Sequence, residues 1–293
     1  MRGVTVAEII AGVGCSHAPS IAHAYDHKLT QEPAWKPLFD AFDESHRWLM
    51  SFNPDALVVI YNDHVDQYFY DAWPTFSIGI AGQYQIPDEG FGARDFPPVP
   101  GHEALGRHIA TELVGQGFDL AASHRMSLDH GFLSPMPLLD EGWKLPVVPM
   151  TINVVVKPLP SPRRCWALGV ALGKAIQSFP RKLRVAIMGT GGLSHQLTGT
   201  NCGRVSPAWD RKFMKLIETS PRKLTFYSMD DFARLGGEHS VEIVQWIAMR
   251  AALPASAKAE LRFYYPHGMM GYGIVGFRVP DKRKTKKSKG AKS

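Results

Sequence analysis

The 293-residue chain predicts an α/β fold, one domain over residues 1–280 with a mixed central β-sheet flanked by helices and a functional site at the C-terminal ends of its strands. Three observations predict it. Strand-like and helix-like segments alternate along the chain, the pattern of a sheet covered by helices. The run Ala56 to Tyr61 (ALVVIY) is apolar at every position, as a strand buried on both faces requires. No internal repeat and no interdomain linker interrupts the chain before Pro280.

The elements follow in order. Ile9 to Cys15 reads as a short buried strand that runs into Ser16, His17, Ala18 and Pro19. Leu38, Phe42, Trp48 and Leu49 take helical spacing, which predicts a helix from Leu38 to Met50. The Ala56–Tyr61 strand stops at Asn62, Asp63 and His64, and Pro74 to Gly82 alternates like a further strand. Ile86 to Gly101 is polar and rich in Pro and Gly; connections of this length in compact domains are often functional. A helix from His102 to Val114, a loop with Ser127 to Gly131, and a strand from Val147 to Val156 come next. Then follow a helix from about Arg163 to Phe179, a strand from Leu183 to Met188, and the segment Gly189-Thr190-Gly191-Gly192-Leu193-Ser194-His195. Ser240 to Leu253 has strong helical periodicity, and Leu261–Tyr265 and Gly273–Val279 read as closing strands.

Composition narrows the class of protein. Hydrophobic residues at 45% and charged residues at 20% are ordinary globular usage. The net charge of +6 resides wholly in DKRKTKKSKGAKS, residues 281–293, leaving 26 basic and 26 acidic residues in the rest. That segment is expected to be a disordered, solvated basic tail, so no specific nucleic-acid binding is expected. No apolar run reaches about 18 residues, and the N-terminus lacks signal-peptide character, so neither a membrane span nor secretion is expected. Cys15, Cys165 and Cys202 have no metal-ligand spacing and suit a reducing cytoplasm.

The histidines carry the chemistry. His17, His64 and His195 each lie just past the C-terminal end of an expected strand, where open α/β sheets bind their ligands. One such histidine is usually an ordinary loop residue; three facing one crevice are not. Two neutral imidazoles and a carboxylate on one side of a metal leave open positions, the arrangement of non-haem Fe(II) oxygenases. Asp63, Glu238 and Glu242 are the carboxylate candidates. Asp63 adjoins His64 and is read as orienting that histidine or its loop, whereas Glu242 lies between Val241 and Ile243, where a buried acid needs a partner or a metal. Short zinc signatures such as H-E-x-x-H are missing.

Five segments carry a family resemblance: Gly14-Cys15-Ser16-His17-Ala18-Pro19, Tyr61-Asn62-Asp63-His64, Leu128-Asp129-His130-Gly131, Gly189 to Gln196, and Val241-Glu242 with Trp246 to Arg250. Together they resemble the type III extradiol ring-cleavage dioxygenases, in order from about residue 9 to 277 and nearest to the protocatechuate 4,5-dioxygenase β subunits and gallate dioxygenases. The resemblance implies Fe(II) bound by His17, His64 and Glu242, His195 as the acid/base, His130 in the substrate pocket, and catechols with a ring carboxylate, together with O2, as substrates. It also implies a small helical lid, expected here as a separate α subunit, with a homodimer as the alternative.

The chain departs from the family at one place. A Ser-Asn pair that holds the substrate carboxylate is replaced by Tyr264-Tyr265-Pro266-His267-Gly268-Met269-Met270-Gly271-Tyr272, so His267 and Tyr272 become the candidate substrate contacts. The competing readings are a zinc enzyme on the same scaffold and a non-catalytic binding protein. His23, His27, His46, His102, His108, His124 and His239 are read as surface residues, with His239 also placed to support the Glu242 helix. Arg163, Arg164 and Arg250 are weighed as carboxylate holders.

Overall fold

The computed structural model describes residues 5–90, 92 and 94–281, so the expected basic tail lies, from Lys282 onward, outside the described residues. β1 (Glu8–Cys15) leads to α1 (Pro19–Asp26), α2 (Lys36–Met50) and β2 (Ala56–Tyr61). β3 (Phe76–Gly79), β4 (Gln83–Tyr84), β5 (Val99–Pro100), α3 (Glu103–Gly115) and β6 (Ala121–Ser123) follow. Two short helices, α4 (His130–Leu133) and α5 (Met136–Leu139), precede β7 (Val147–Ile152), α6 (Pro162–Ser178) and β8 (Arg184–Thr190). After α7 (Pro207–Thr219) and α8 (Met229–Gly236), a 3-10 turn over Glu238–Ile243 runs into α9 (Val244–Ala252), and β9 (Lys258–His267) and β10 (Met270–Arg278) close the fold.

Eight strands form one mixed sheet in the order β6-β3-β7-β2-β8-β1-β10-β9. β7, β2, β8 and β1 are mutually parallel neighbours, and β10 and β9 add antiparallel at one side. Both faces are covered. Alternate residues of β2 show it: Ala56, Val58 and Ile60 join a core with Leu105, Leu172 and Ile247 of α3, α6 and α9. Leu57, Val59 and Tyr61 join a second core with Ile21 and Phe42 of α1 and α2. The period of two in a strand thus requires an unbroken apolar run here.

Local chemistry sets the ends. α6 starts where Ser161 accepts the Arg164 N–H at 3.2 Å with Pro162 at the first helical position. The strand expected over Val147–Val156 stops at Ile152, because the Asn153 side chain accepts from Val155 and Val156 N–H and donates to Val156 O, closing a turn. The strand expected over Pro74–Gly82 is regular only over β3, Phe76–Gly79; the chain then bends into a separate two-stranded ribbon, β4 with β5. The Ser240–Leu253 helix is regular only from Val244; the turn before it is 3-10. All three cysteines are free thiols, and no helix among the described residues is long and apolar enough to cross a membrane.

Candidate active site

Because β2, β8 and β1 are adjacent and parallel, their C-terminal ends open on one side of the sheet. His17 follows β1, His64 follows β2, and His195 stands on the loop after β8. Glu242 arrives on the 3-10 turn that leads into α9, the helix packed over β8 and β1. One ligand atom from each of His17, His64 and Glu242 lies within 4.8 Å of the other two.

Hydrogen bonds decide which atoms face the centre. The Thr190 hydroxyl donates to Gly131 O at 2.7 Å, so its oxygen must accept from His17 Nδ1–H at 3.0 Å. Burial pushes the His17 imidazole below its usual range despite the Glu242 carboxylate, and the ring is neutral. Its Nε2 lone pair then points at Glu242 Oε2, 3.1 Å away, an oxygen that already accepts the Gly192 N–H at 2.8 Å. Two buried lone pairs facing each other require a cation between or beside them.

Charge says the same. Burial alone would raise the Glu242 pKa, yet positive charge on the histidines around it holds it well below the ordinary carboxylate range; with His17 neutral, a cation has to supply that charge. Burial works against protonation of His64, but Asp129 and Glu242 outweigh it and raise its pKa to about 10. A divalent cation at this place would supply positive charge without a proton, because a ligating imidazole must be neutral at the nitrogen that binds. Two imidazole nitrogens and one carboxylate therefore fit a divalent cation, and their type is the set favoured for non-haem iron.

Around these three residues lies a supporting layer. Asp129 is fully buried; its Oδ2 accepts both His64 N–H (2.6 Å) and Nδ1–H (2.9 Å), and its Oδ1 accepts Gly131 N–H at 2.9 Å, capping α4. The carboxylate fixes the His64 ring and aims Nε2 inward. A second metal-compatible group, His64 with Asp129 and His130, also meets the 4.8 Å criterion, but both oxygens of Asp129 are committed to these bonds. His130 lies against His64, ring centroids 3.8 Å apart, and is tied through Nδ1 to Glu89 of the long loop. Asp63 accepts from the backbone N–H of Val65, Gln67 and Tyr68, so it organises the loop and not the His64 ring. Asn62, held by Gln245 at 2.9 Å, places its amide 2.8 Å from His64 Nε2.

His195 donates Nδ1–H to Leu193 O at 3.1 Å, leaving Nε2 3.7 Å from Glu242 Oε2. A Cβ on Gly192 would stand 2.3 Å from His195 Cε1, so only glycine lets this ring lie over its own loop. A cavity of about 830 Å³ opens in front of the cluster, within the range of small-molecule sites. His17, His64, His130, His195 and Glu242 form part of its wall, and His267 and Tyr272 form another part. Tyr272 and Ser20 share a 2.8 Å hydroxyl–hydroxyl bond, and burial raises the phenol pKa, keeping it protonated. His267 meets Trp35 edge-on, ring centroids 5.3 Å apart.

Residues 11–275 match the family described as the catalytic LigB subunit of aromatic ring-opening dioxygenase. The chain belongs to the LigB family. It is 43% identical over 193 residues to a gallate dioxygenase of Pseudomonas putida KT2440, covering 65% of this chain and 57% of that enzyme. It is 31% identical over 282 residues to a 2,3-dihydroxyphenylpropionate/2,3-dihydroxicinnamic acid 1,2-dioxygenase of Klebsiella pneumoniae strain 342, with 79% and 88% covered. The fold is shared with an uncharacterized protein of Escherichia coli K12, with a TM-score of 0.60 and 12% identity over 92% of this chain.

For this LigB chain the structure gathers all seven residues singled out from sequence, His17, His64, His130, His195, Glu242, His267 and Tyr272, around one cavity. His239, read as a surface residue, also lines it, half-buried with its ring 5.4 Å from His195; its position beside Glu242 was the available signal. Arg164 lies over the Phe118 ring and Arg250 over Phe277, and neither they nor Arg163 line the cavity. Asp129 and Thr190 were missed as supports of His64 and His17, although both lie inside the segments that carried the resemblance. Glu89 and Ser20 had no signal in sequence, because their partners come from 41 and 252 residues away.

Proposed function

We infer that this LigB-family chain is an Fe(II)-dependent extradiol dioxygenase, with the metal held by His17, His64 and Glu242 and a proton carried by His195. The observation that carries the reading is the pair of lone pairs at His17 Nε2 and Glu242 Oε2, 3.1 Å apart beside His64 and open to a cavity. Bound Fe(II) would supply the redox centre through which a catechol passes electrons to O2. The chain's own residues do the rest. Nε2 of His195, freed by the Nδ1–H bond to Leu193 O, takes a proton from a catechol hydroxyl and returns it as the ring opens. His130 packs beside His64 and borders the substrate ring. Tyr272, Ser20 and His267 offer hydrogen-bonding groups to a ring substituent.

The substrate is a catechol acid of the gallate or protocatechuate kind, and one relative is named a gallate dioxygenase. A small separate subunit covers the cavity mouth, where Val155, Leu197 and Met269 stand exposed. The test is to reconstitute the chain anaerobically with Fe(II), add protocatechuate, gallate or 3-O-methylgallate, admit air and follow the yellow ring-opened product. Product formation that depends on Fe(II) supports the reading, and activity indifferent to Fe(II) with retained zinc rejects it. Full activity of the isolated chain would remove the subunit from the proposal.

A further inference from the structure

We propose that Asp210, acting through Ser194, is a positioning residue that holds His195 in place for proton transfer; the inference rests on the acid/base reading of His195 given above. Asp210 is a carboxylate in the first turn of α7, fully buried, and among the described residues no Lys, Arg or His forms an ion pair with it. A charge is not buried at such a place without full compensation by hydrogen bonds.

Here the compensation comes from three donors. Oδ1 accepts Ser194 N–H at 2.8 Å, and Oδ2 accepts Ser194 Oγ–H at 2.6 Å and the Tyr264 hydroxyl at 2.8 Å. Burial pushes the Asp210 pKa up while the bonds from Ser194 and Tyr264 work against that rise, so both of its oxygens are engaged by these partners. Ser194 Oγ in turn accepts Ser206 N–H at 2.7 Å, which joins the loop to the residue before α7.

The other side of the loop is fixed as well. Gly271 N–H donates to Ser194 O at 2.9 Å, and His195 forms an antiparallel bridge with Met270 of β10. A Cβ on Gly271 would lie 2.3 Å from Asp210 Oδ2, so the strand passes directly over the carboxylate. Ser194 thus has its N–H, hydroxyl and carbonyl all engaged, and the next residue is His195. Release of Ser194 leaves that side chain held by its own bond to Leu193 O and by the bridge, and its Nε2 free to drift from the cavity. Proton transfer is sensitive to displacements of this kind.

The test uses the full chain loaded with Fe(II), and as probe whichever of protocatechuate, gallate and 3-O-methylgallate is turned over fastest. S194A, D210N and H195Q are compared for kcat, iron content and anaerobic affinity for the probe. S194A is expected to lower kcat by about tenfold or more, with iron content and affinity within about twofold of the unaltered chain. D210N keeps one acceptor oxygen, and its kcat is expected to fall between the two. D210N also stands in for an alanine variant that fails to fold. A merely structural role predicts a different pattern, and either form of it overturns the proposal: kcat, iron content and affinity falling together, or melting temperature falling at unchanged kcat. Wild-type kcat in H195Q overturns the acid/base reading and this inference with it. Loss in H195Q with wild-type kcat in S194A and D210N overturns the positioning role alone.

Discussion

Asp129→Asn is the substitution that most directly separates support of a ligand from ligation itself. Asp129 accepts three N–H bonds, two from His64 and one from Gly131, with both carboxylate oxygens in use. An asparagine of the same shape has one oxygen. With that oxygen toward His64, its NH2 faces the Gly131 N–H, donor against donor. With the amide reversed, its NH2 faces the His64 backbone N–H, donor against donor, and the His64 ring must move its proton to Nε2, the atom that faces Glu242. Each arrangement leaves a backbone N–H unpaired, that of Gly131 or that of His64, at about 1–3 kcal/mol of stability. Both weaken His64 as a ligand, and loss of such a support costs about 10–100-fold in metal affinity, or about 1.4–2.7 kcal/mol of binding free energy. The assay is anaerobic Fe(II) titration against a competing chelator, with the fold checked by circular dichroism. Affinity within about threefold of the unaltered chain, in a folded variant, would refute the claim that Asp129 acts through the His64 ring.

Other expectations follow from packing and charge. G192A forces the His195 ring aside and is expected to cut kcat by about a hundredfold, so a wild-type kcat would count against the placement of that ring. Trp246 is among the largest fully buried side chains, and W246A should cost about 3–5 kcal/mol in a urea melt; a loss under about 1 kcal/mol would show that the site collapses around the gap. Asp231 is drawn down to about 2 by the Ser228 N–H, then by Arg234, in the capping box of α8. Its pKa is lower folded than unfolded, so its contribution is full above the unfolded value and vanishes as the pH falls through about 2. The melting-temperature gap between the unaltered chain and D231N should therefore close over that acid range, and a gap independent of pH would contradict the assignment.

What could be read from sequence divides along physical lines. β2 was readable because burial on both faces leaves no polar position in ALVVIY, and its bounds, Ala56–Tyr61, were as expected. His17, His64 and His195 were readable because strand ends are marked by a change of composition and parallel strands share one open edge. Glu242 was an open choice against Asp63 and Glu238 until the resemblance selected it. Its local helix is 3-10, a difference of backbone pitch that apolar spacing does not register. α1, α7 and α8 were missed: each buries only part of its surface, and polar residues interrupt its apolar stripe. Asp129, Thr190 and Asp210 act through bonds between distant segments, with 65, 173 and 16 residues between partners. Local patterning carries no record of such pairs.

The central claim is that His17, His64 and Glu242 hold an iron at which O2 is spent on a catechol. It is tested most directly by turnover under 18O2 of the chain reconstituted with Fe(II), alongside E242A, with mass spectrometry of the ring-opened product. The account predicts one iron per chain, both labelled oxygen atoms in the product, and loss of iron and product together in E242A. Unlabelled product, or full iron content and activity in E242A, would contradict it.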